Sequence, residues 1–435
     1  MAKQTDLITL WRTILQAGGP EAYIQAQLRE RGYLVERRET DKMSEKELED
    51  YKKSLKTEAA EKRALQRESW KAYRANHIVH LGEGVHWSDE KANDKWDVPN
   101  AEERAAENGL PPLDSPQQLA EALGISVPDL RWLTYHRDAA THIHYVRFMI
   151  PKRDGKQRPI WAPLPKLKAA QHWILFNVVE RLQVHGAVHG FLAGRSTLTN
   201  ASIHTDSRVI LKMDIKDFFP TITWRRVKGV FRKAGYREQI ATLLALLCTE
   251  SPRDVVEHEG KRYYVSLGHR CLPQGAPTSP AITNVLCLRM DQRIVGLAAK
   301  LGWRYTRYAD DMTFSLPGDH KGKPNLGKLM GLVKRIVGAE GFTVHPDKIR
   351  VARHGGCQRV TGLVVNGASE PRVPRQLRRQ VRAAIHNLQK GKPLKEGETI
   401  VTLKGMAAYI HMTDRELGAK LLAELKRRHP AEGTA

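Results

Sequence analysis

Three aspartates stand where a merely solvated acid is hard to explain. Asp214 closes the apolar run Val209-Ile-Leu-Lys-Met-Asp-Ile215, and Asp310 and Asp311 sit side by side within Trp303-Arg-Tyr-Thr-Arg-Tyr-Ala-Asp-Asp-Met-Thr-Phe-Ser-Leu316. The first run has the pattern of a strand; the second reads as a hairpin whose tight turn carries both acids. Adjacent carboxylates between hydrophobic strands repel each other, and a divalent cation relieves that repulsion. Taken alone, Asp-Asp is more often a solvated turn, because Asp is a turn former. Mg²⁺ suits a sparse acidic set, since it takes a few carboxylates and completes its shell with water and substrate phosphates. Two such ions held by three aspartates would activate a sugar hydroxyl and steady a departing pyrophosphate in an in-line displacement.

Composition narrows what such a site could serve. The chain has 435 residues, with 71 Lys+Arg against 48 Asp+Glu, a net charge of +23. That surplus points to a polyanionic partner, because basic side chains gain by releasing counterions from phosphate backbones. The length suits two or three domains. No apolar run is long enough to span a bilayer, which argues against an integral membrane protein, and Met1–Leu10 lacks the apolar core of a secretory signal. Cys248, Cys271, Cys287 and Cys357 are scattered without a CxxC pair. A disulfide scaffold or zinc finger is a poor reading, and reduced thiols in a cytoplasmic protein fit better. His142-Ile-His144 lacks an apparent third metal ligand.

The elements that must position the aspartates follow from pattern. Residues 1–110 read as a helical and irregular N-terminal extension, with a charged helix over Asp41–Arg67 and weak patterning from Asn76 to Asn108. Ser115-Pro-Gln-Gln caps a helix that runs through Leu123 and stops at Gly124. His144–Ile150 and Arg158–Trp161 read as strands joined by the turn Arg153–Lys156, and Lys166–Val184 as one long amphipathic helix. From Val209 to Leu316 strands and helices alternate in a layered core. The chain becomes helical and basic again after Pro374.

Together these segments resemble a known family. Tyr308-Ala-Asp-Asp311, Asp214-Ile-Lys-Asp-Phe-Phe-Pro-Thr-Ile222 and Leu272-Pro-Gln-Gly-Ala-Pro-Thr-Ser-Pro280 occur in the order found in a reverse transcriptase palm. Asn200-Ala-Ser-Ile-His204 and Val360-Thr-Gly362 resemble the NAxxH and VTG signatures of bacterial retron reverse transcriptases. The resemblance spans roughly Ser115 to His429 and implies an α+β right-hand polymerase. Fingers are expected over 115–208, an antiparallel palm over 209–366 and a helical thumb over 367–435.

It also implies roles. Asp214 and Asp310 would bridge two Mg²⁺ ions, with Asp311 adjacent and the carbonyl of Ile215 as a further ligand. Lys216, Asp217 and Phe218 would lie along the incoming dNTP, offering backbone amides to its phosphates. Phe219 would exclude a 2′-hydroxyl by its bulk. Gln274 and Gly275 would back the nucleotide, and Lys152 and Arg158 would hold its outer phosphates. Lys348 would assist proton transfer to pyrophosphate. Asn200, His204, Val360, Thr361 and Gly362 are expected at the RNA, and Arg372, Arg375, Arg378, Arg379 and Arg382 would form a basic helical stripe on it. Implied partners are a cognate noncoding RNA serving as template and 2′-hydroxyl primer, its branched multicopy single-stranded DNA product, dNTPs and an effector protein in antiphage defence. An abortive-infection or group II intron-like enzyme, and a non-catalytic RNA-binding protein of polymerase fold, are the alternatives.

Overall fold

The structure, a computed structural model, describes residues 13–30, 39–86, 99–151, 155, 157–367, 370–395 and 397–428. Two compact units divide between Val79 and His80. In the first, α1 (Pro20–Glu30) precedes the 32-residue helix α2 (Glu45–Asn76). Ser44 starts α2 with a capping box, its amide donating to Glu47 Oε2 at 3.0 Å. No α2 residue is buried, so this helix rests on propensity and pairs such as Lys62–Glu58. It runs past the expected end at Arg67.

The larger unit begins at His80. Leu81, Val85 and Leu110 are buried, and Gly82 bridges His136 so closely that a Cβ would lie 1.9 Å from the His136 carbonyl oxygen. Their irregular spacing carried no helical or strand period, yet each finds a core partner. Three short helices follow: α3 (Ala101–Glu107), α4 (Pro116–Ala122) and α5 (Val127–Thr134). Ser115 caps α4 as expected, accepting from the Gln118 amide at 3.3 Å.

Strands β2 (Tyr145–Pro151) and β3 (Gln157–Pro163) form an antiparallel hairpin, exposed along most of β2. The helix expected over Lys166–Val184 is α6 (Pro165–Asn177) followed by a 3-10 turn at Val179–Arg181. It breaks at Val178, which takes φ −124° and ψ −63°, although Val178, Val179 and Leu182 stay buried. Next come α7 (Thr197–Ser202), β4 (Ser207–Asp214), α8 (Trp224–Ala234) and α9 (Glu238–Cys248). Strands β5 (Arg253–His258) and β6 (Lys261–Ser266) form a sheet with β1 (Ala139–Ala140) in the order β1-β6-β5. Helices α10 (Ser279–Leu286) and α11 (Leu288–Lys300), strands β7 (Arg304–Tyr308) and β8 (Asp311–Pro317), helix α12 (Leu326–Ala339) and strand β9 (Arg350–Arg353) complete the centre.

The central sheet is antiparallel, ordered β7-β8-β4-β9. Its middle strands β4 and β8 are buried along most of their length, which explains apolar runs instead of strict alternation. Last, a hairpin of β10 (Arg359–Val360) and β11 (Leu363–Val364) leads to α13 (Arg375–Gln389), α14 (Ile400–His411) and α15 (Arg415–Arg428). Val381, Ile385, Leu403, Ile410 and Leu421 join Val360 and Leu363 in one core, so the three helices grow directly out of this hairpin.

Candidate active site

The pairing of β4 with β8 places Asp214 opposite Asp311, and the Ile215 amide donates to the Asp310 carbonyl at 3.0 Å. Residues nearly a hundred positions apart thus meet at one end of the sheet. The turn between β7 and β8 has two residues, Ala309 and Asp310, with Ala309 at φ +56°. Glycine is the usual occupant of such a position, so an alanine there stores strain that its surroundings must hold. Gly190 lies beneath it, where a Cβ would come within 2.8 Å of the Ala309 nitrogen.

A buried ion pair anchors the same turn. Arg307, fully buried, donates from Nε and Nη2 to Asp291 at 2.8–3.1 Å. Its Nη1 reaches the Ala309 carbonyl at 3.0 Å and Asn284 Oδ1 at 3.3 Å. Tyr305 donates to Asp291 at 2.8 Å, and Asn284 donates to the Gly190 carbonyl at 2.8 Å. Asp291 and Arg307 were missed in the sequence reading. For Asp291 a signal was there, since it shares the inward stripe of α11 with Ile294 and Ala298; β7, Arg304-Tyr-Thr-Arg-Tyr308, has no apolar pattern to set Arg307 apart.

The carboxylates are held by lysines. Lys348 Nζ lies 2.8 Å from Asp214 Oδ1, and Lys212 Nζ 2.5 Å from Asp311 Oδ2. Burial, and next the charge of Asp214, push the Asp310 carboxyl above its ordinary range. Burial does the same to Asp311, against the pull of Lys212. Among the described residues no three His, Cys, Asp or Glu side chains form a ready ligand cluster. The three backbones converge as expected, while oxygens of Asp214 and Asp311 face ammonium groups. The donor set still fits a divalent ion: burial disfavours the charged form of Asp310 and Asp311, all the ligands are hard oxygens, and the Ile215 carbonyl accepts no backbone bond among the described residues.

Lys216 and Asp217 are exposed, Phe218 is buried against Phe342, and Phe219 is half-buried with its ring 5.6 Å from that of Phe218. The Lys216 amide is spent on Thr343, at 2.8 Å, so it is not available to a phosphate as expected. The amides of Asp217, Phe218 and Phe219 donate to no acceptor among the described residues, and Asp217 sits at φ +46°. Gly275 permits a close approach, but to protein: a Cβ there would meet Ile160 Cγ2 at 2.7 Å and the Trp161 oxygen at 2.9 Å. The neighbouring Gln274 carbonyl accepts from the Trp161 amide at 2.8 Å, which ties this loop to β3. Helix α10 starts only at Ser279, a few residues beyond Gln274. Arg158 is exposed on β3 opposite Ile150; Lys152 lies outside the described residues.

Two of the short signatures meet. Thr361 Oγ1 donates to the Thr197 carbonyl at 2.9 Å, and Asn200 Nδ2 lies 3.5 Å from Thr361 Oγ1. Thr361 (φ +45°) and Gly362 (φ +89°) are the two turn residues between β10 and β11, the backbone demanded by a tight hairpin of this hand. His204 is fully buried, with its ring nitrogens 2.7 Å from Ser315 Oγ and Thr306 Oγ1, and burial pushes its pKa down to about 3. Asn200, His204 and Val360 therefore face protein, and direct RNA contact by these three side chains is corrected to bracing of α7, the sheet and the hairpin. Arg375, Arg379 and Arg382 are exposed on one side of α13, away from its buried Val381, Ala384 and Ile385, with Arg378 half-buried beside them. Arg372 is not on that helix; it lies in an extended segment bridged to Val364.

Residues 150–380 match the family Reverse transcriptase (RNA-dependent DNA polymerase). The Retron Mx162 reverse transcriptase of Myxococcus xanthus is 54% identical over 96% of this chain and 88% of its own length. The chain belongs to the retron reverse transcriptases. The Retron Mx65 reverse transcriptase of the same organism is 42% identical over 75% of each chain. Among solved structures, a telomerase from Candida albicans in complex with a TWJ fragment of telomeric RNA superposes at TM-score 0.40 and 11% identity, over 66% of this chain and 55% of that one. As a retron reverse transcriptase, the protein is an RNA-directed DNA polymerase of the right-hand α+β class, its template partner is RNA, and its family uses divalent metal ions. Among the described residues, no helix is long and apolar enough to cross a membrane.

Proposed function

We propose that this retron reverse transcriptase copies a cognate noncoding RNA, using a 2′-hydroxyl of that RNA as primer, and yields a branched multicopy single-stranded DNA that serves antiphage defence. The observation that carries the catalytic part is the β4–β8 register, which sets Asp214, Asp310 and Asp311 at one sheet end. Two Mg²⁺ ions, when bound, supply activation of the priming hydroxyl and neutralisation of the pyrophosphate. Asp214 and Asp310, with the Ile215 carbonyl, would hold them, and Asp311 would support the set from its bond to Lys212. The Asp217–Phe219 turn presents its unspent amides to the triphosphate, in the manner of a backbone anion nest. Phe219 limits space at the sugar, and Gln274 and Gly275 back the nucleotide from a loop fixed to β3. Arg158 holds outer phosphates, a role Lys152 would share. Lys348, now on Asp214, is the ammonium group positioned to give a proton to the leaving pyrophosphate.

For the RNA, we assign the exposed arginines of α13, with Arg372, to the phosphate backbone of a structured segment; shape and charge suffice for A-form RNA. Fingers, palm and thumb are placed at 115–208, 209–366 and 367–435. The experiment is co-expression with and without the adjoining noncoding RNA, followed by labelled dNTPs and Mg²⁺. Labelled DNA covalently joined to RNA, and sensitive to a 2′,5′ debranching enzyme, is expected only with the cognate RNA. Equal synthesis on any RNA would sink the retron-specific reading and favour a general reverse transcriptase.

A further inference from the structure

A second cleft lies on elements that the polymerase site does not use. Helix α5 and the segment from Tyr135 through β1 to His144 line a cavity of about 320 Å³ over Glu250 and Arg253. Its wall is aromatic and cationic: Trp132 is 54% exposed, and Tyr135 carries the Arg137 guanidinium 4.9 Å and the Arg131 guanidinium 5.9 Å from its ring centre. Thr141 and His142 are exposed at the rim.

The floor is built, not incidental. Glu250 and Arg253 are both buried and paired at 3.2 Å. The Arg253 guanidinium also donates to the carbonyls of Arg137 at 2.8 Å, Asp138 at 3.3 Å and Tyr264 at 3.0 Å. A buried charge thus fixes the loop bearing Tyr135 and Arg137. His144 completes the frame, its Nε2 on the Trp132 carbonyl at 3.0 Å and its ring edge-on to the Trp132 ring at 4.2 Å. That bond fastens His144 into the wall of the cleft.

We propose that this cleft is a nucleotide-binding site. An unpaired base lies against Trp132, and its phosphate is held by Arg137. Planar aromatic surface beside fixed guanidinium groups is the combination that takes a base and its phosphate without demanding a sequence. The ligand's chemistry is shared by a nucleotide splayed out of an RNA strand and by a free mononucleotide. The strand-borne form rests on the reading of the protein as an RNA-copying polymerase.

The test irradiates full-length protein with a short unstructured RNA bearing 4-thiouridine and, separately, with 4-thiouridine 5′-monophosphate, and then maps the labelled peptides. Each preparation is also assayed for DNA synthesis on poly(rA)·oligo(dT). Label within residues 131–144 is expected in the RNA arm, falling about tenfold in Trp132→Ala and in Arg137→Ala, the order of one lost base-on-aromatic stack. Synthesis on the homopolymer is expected to stay at the wild-type level in both variants. Label there in the mononucleotide arm alone would support the site and assign it to free nucleotides. No label there in either arm, or undiminished label in Trp132→Ala, would overturn the proposal. If synthesis persists in those samples, only the cleft reading falls; loss of synthesis in the wild type would count against the polymerase reading instead.

Discussion

Removing Arg307 separates the stability of this fold from the geometry of its active turn. Its side chain neutralises a buried Asp291 and also bonds the Ala309 carbonyl at 3.0 Å. Arg307→Met leaves the buried Asp291 without its charge partner, with only the Tyr305 bond at 2.8 Å remaining to its carboxylate among the described residues. Breaking one partner of such a pair costs about 3–5 kcal/mol, because the other charge stays unpaired. The double variant Arg307→Met/Asp291→Leu removes both charges, and most of that loss should return. The bond to Ala309 does not return. A charged hydrogen bond is worth about 1.5–3 kcal/mol, so if it holds the strained turn in place, synthesis in the double variant should stay about ten- to a hundred-fold low. The assay pairs urea unfolding with primer extension on the same preparations. A double variant that regains both stability and full synthesis would refute the positioning role and leave a purely structural ion pair.

Three further outcomes are expected. Because burial and the facing Asp214 raise the Asp310 pKa, the folded state binds that proton more tightly than the unfolded one. The stabilising contribution is full below the unfolded pKa near 3.8 and is lost as pH rises through the folded value, so Asp310→Asn should melt higher than wild type at pH 7 and lose that advantage near pH 3, by calorimetry. Phe219→Ala should lower discrimination against ribonucleotides by about ten- to a hundred-fold in single-nucleotide incorporation; an unchanged ratio would remove Phe219 from the sugar site. Burial pushes Cys248 and Cys287 up to about 12 and Cys271 up to about 11, while Cys357 is exposed, so a thiol reagent at pH 8 should modify Cys357 alone in native protein and all four cysteines after denaturation.

What the sequence made legible was chiefly local. Asp214 and Asp310-Asp311 stood out because acids on apolar strands are rare, and the hairpin pattern placed them at strand ends. The β2–β3 hairpin and the Ser115 cap were readable because turn and cap chemistry act within a few residues. Contacts across the fold were not. Arg307 with Asp291, and the Gly190 cradle under Ala309, join distant segments, and no periodicity reports a pairing partner. Residues 80–86 looked irregular because single apolar anchors, Leu81 and Val85, are buried there without a helical or strand period. The NAxxH and VTG resemblances marked real junctions, but burial assigns Asn200, His204 and Val360 to packing and leaves Thr361 and Gly362 as the tight turn. Gly275 was expected behind the nucleotide, and the backbone it accommodates is that of β3.

The central claim is that Asp214, Asp310 and Asp311 carry RNA-directed DNA synthesis. Its most direct test is primer extension on an RNA template with Mg²⁺ and labelled dNTPs, comparing wild type with Asp310→Asn while RNA binding is followed on a filter. Synthesis should fall below detection in the variant while RNA retention stays at the wild-type level. Incorporation by Asp310→Asn at the wild-type rate would contradict it.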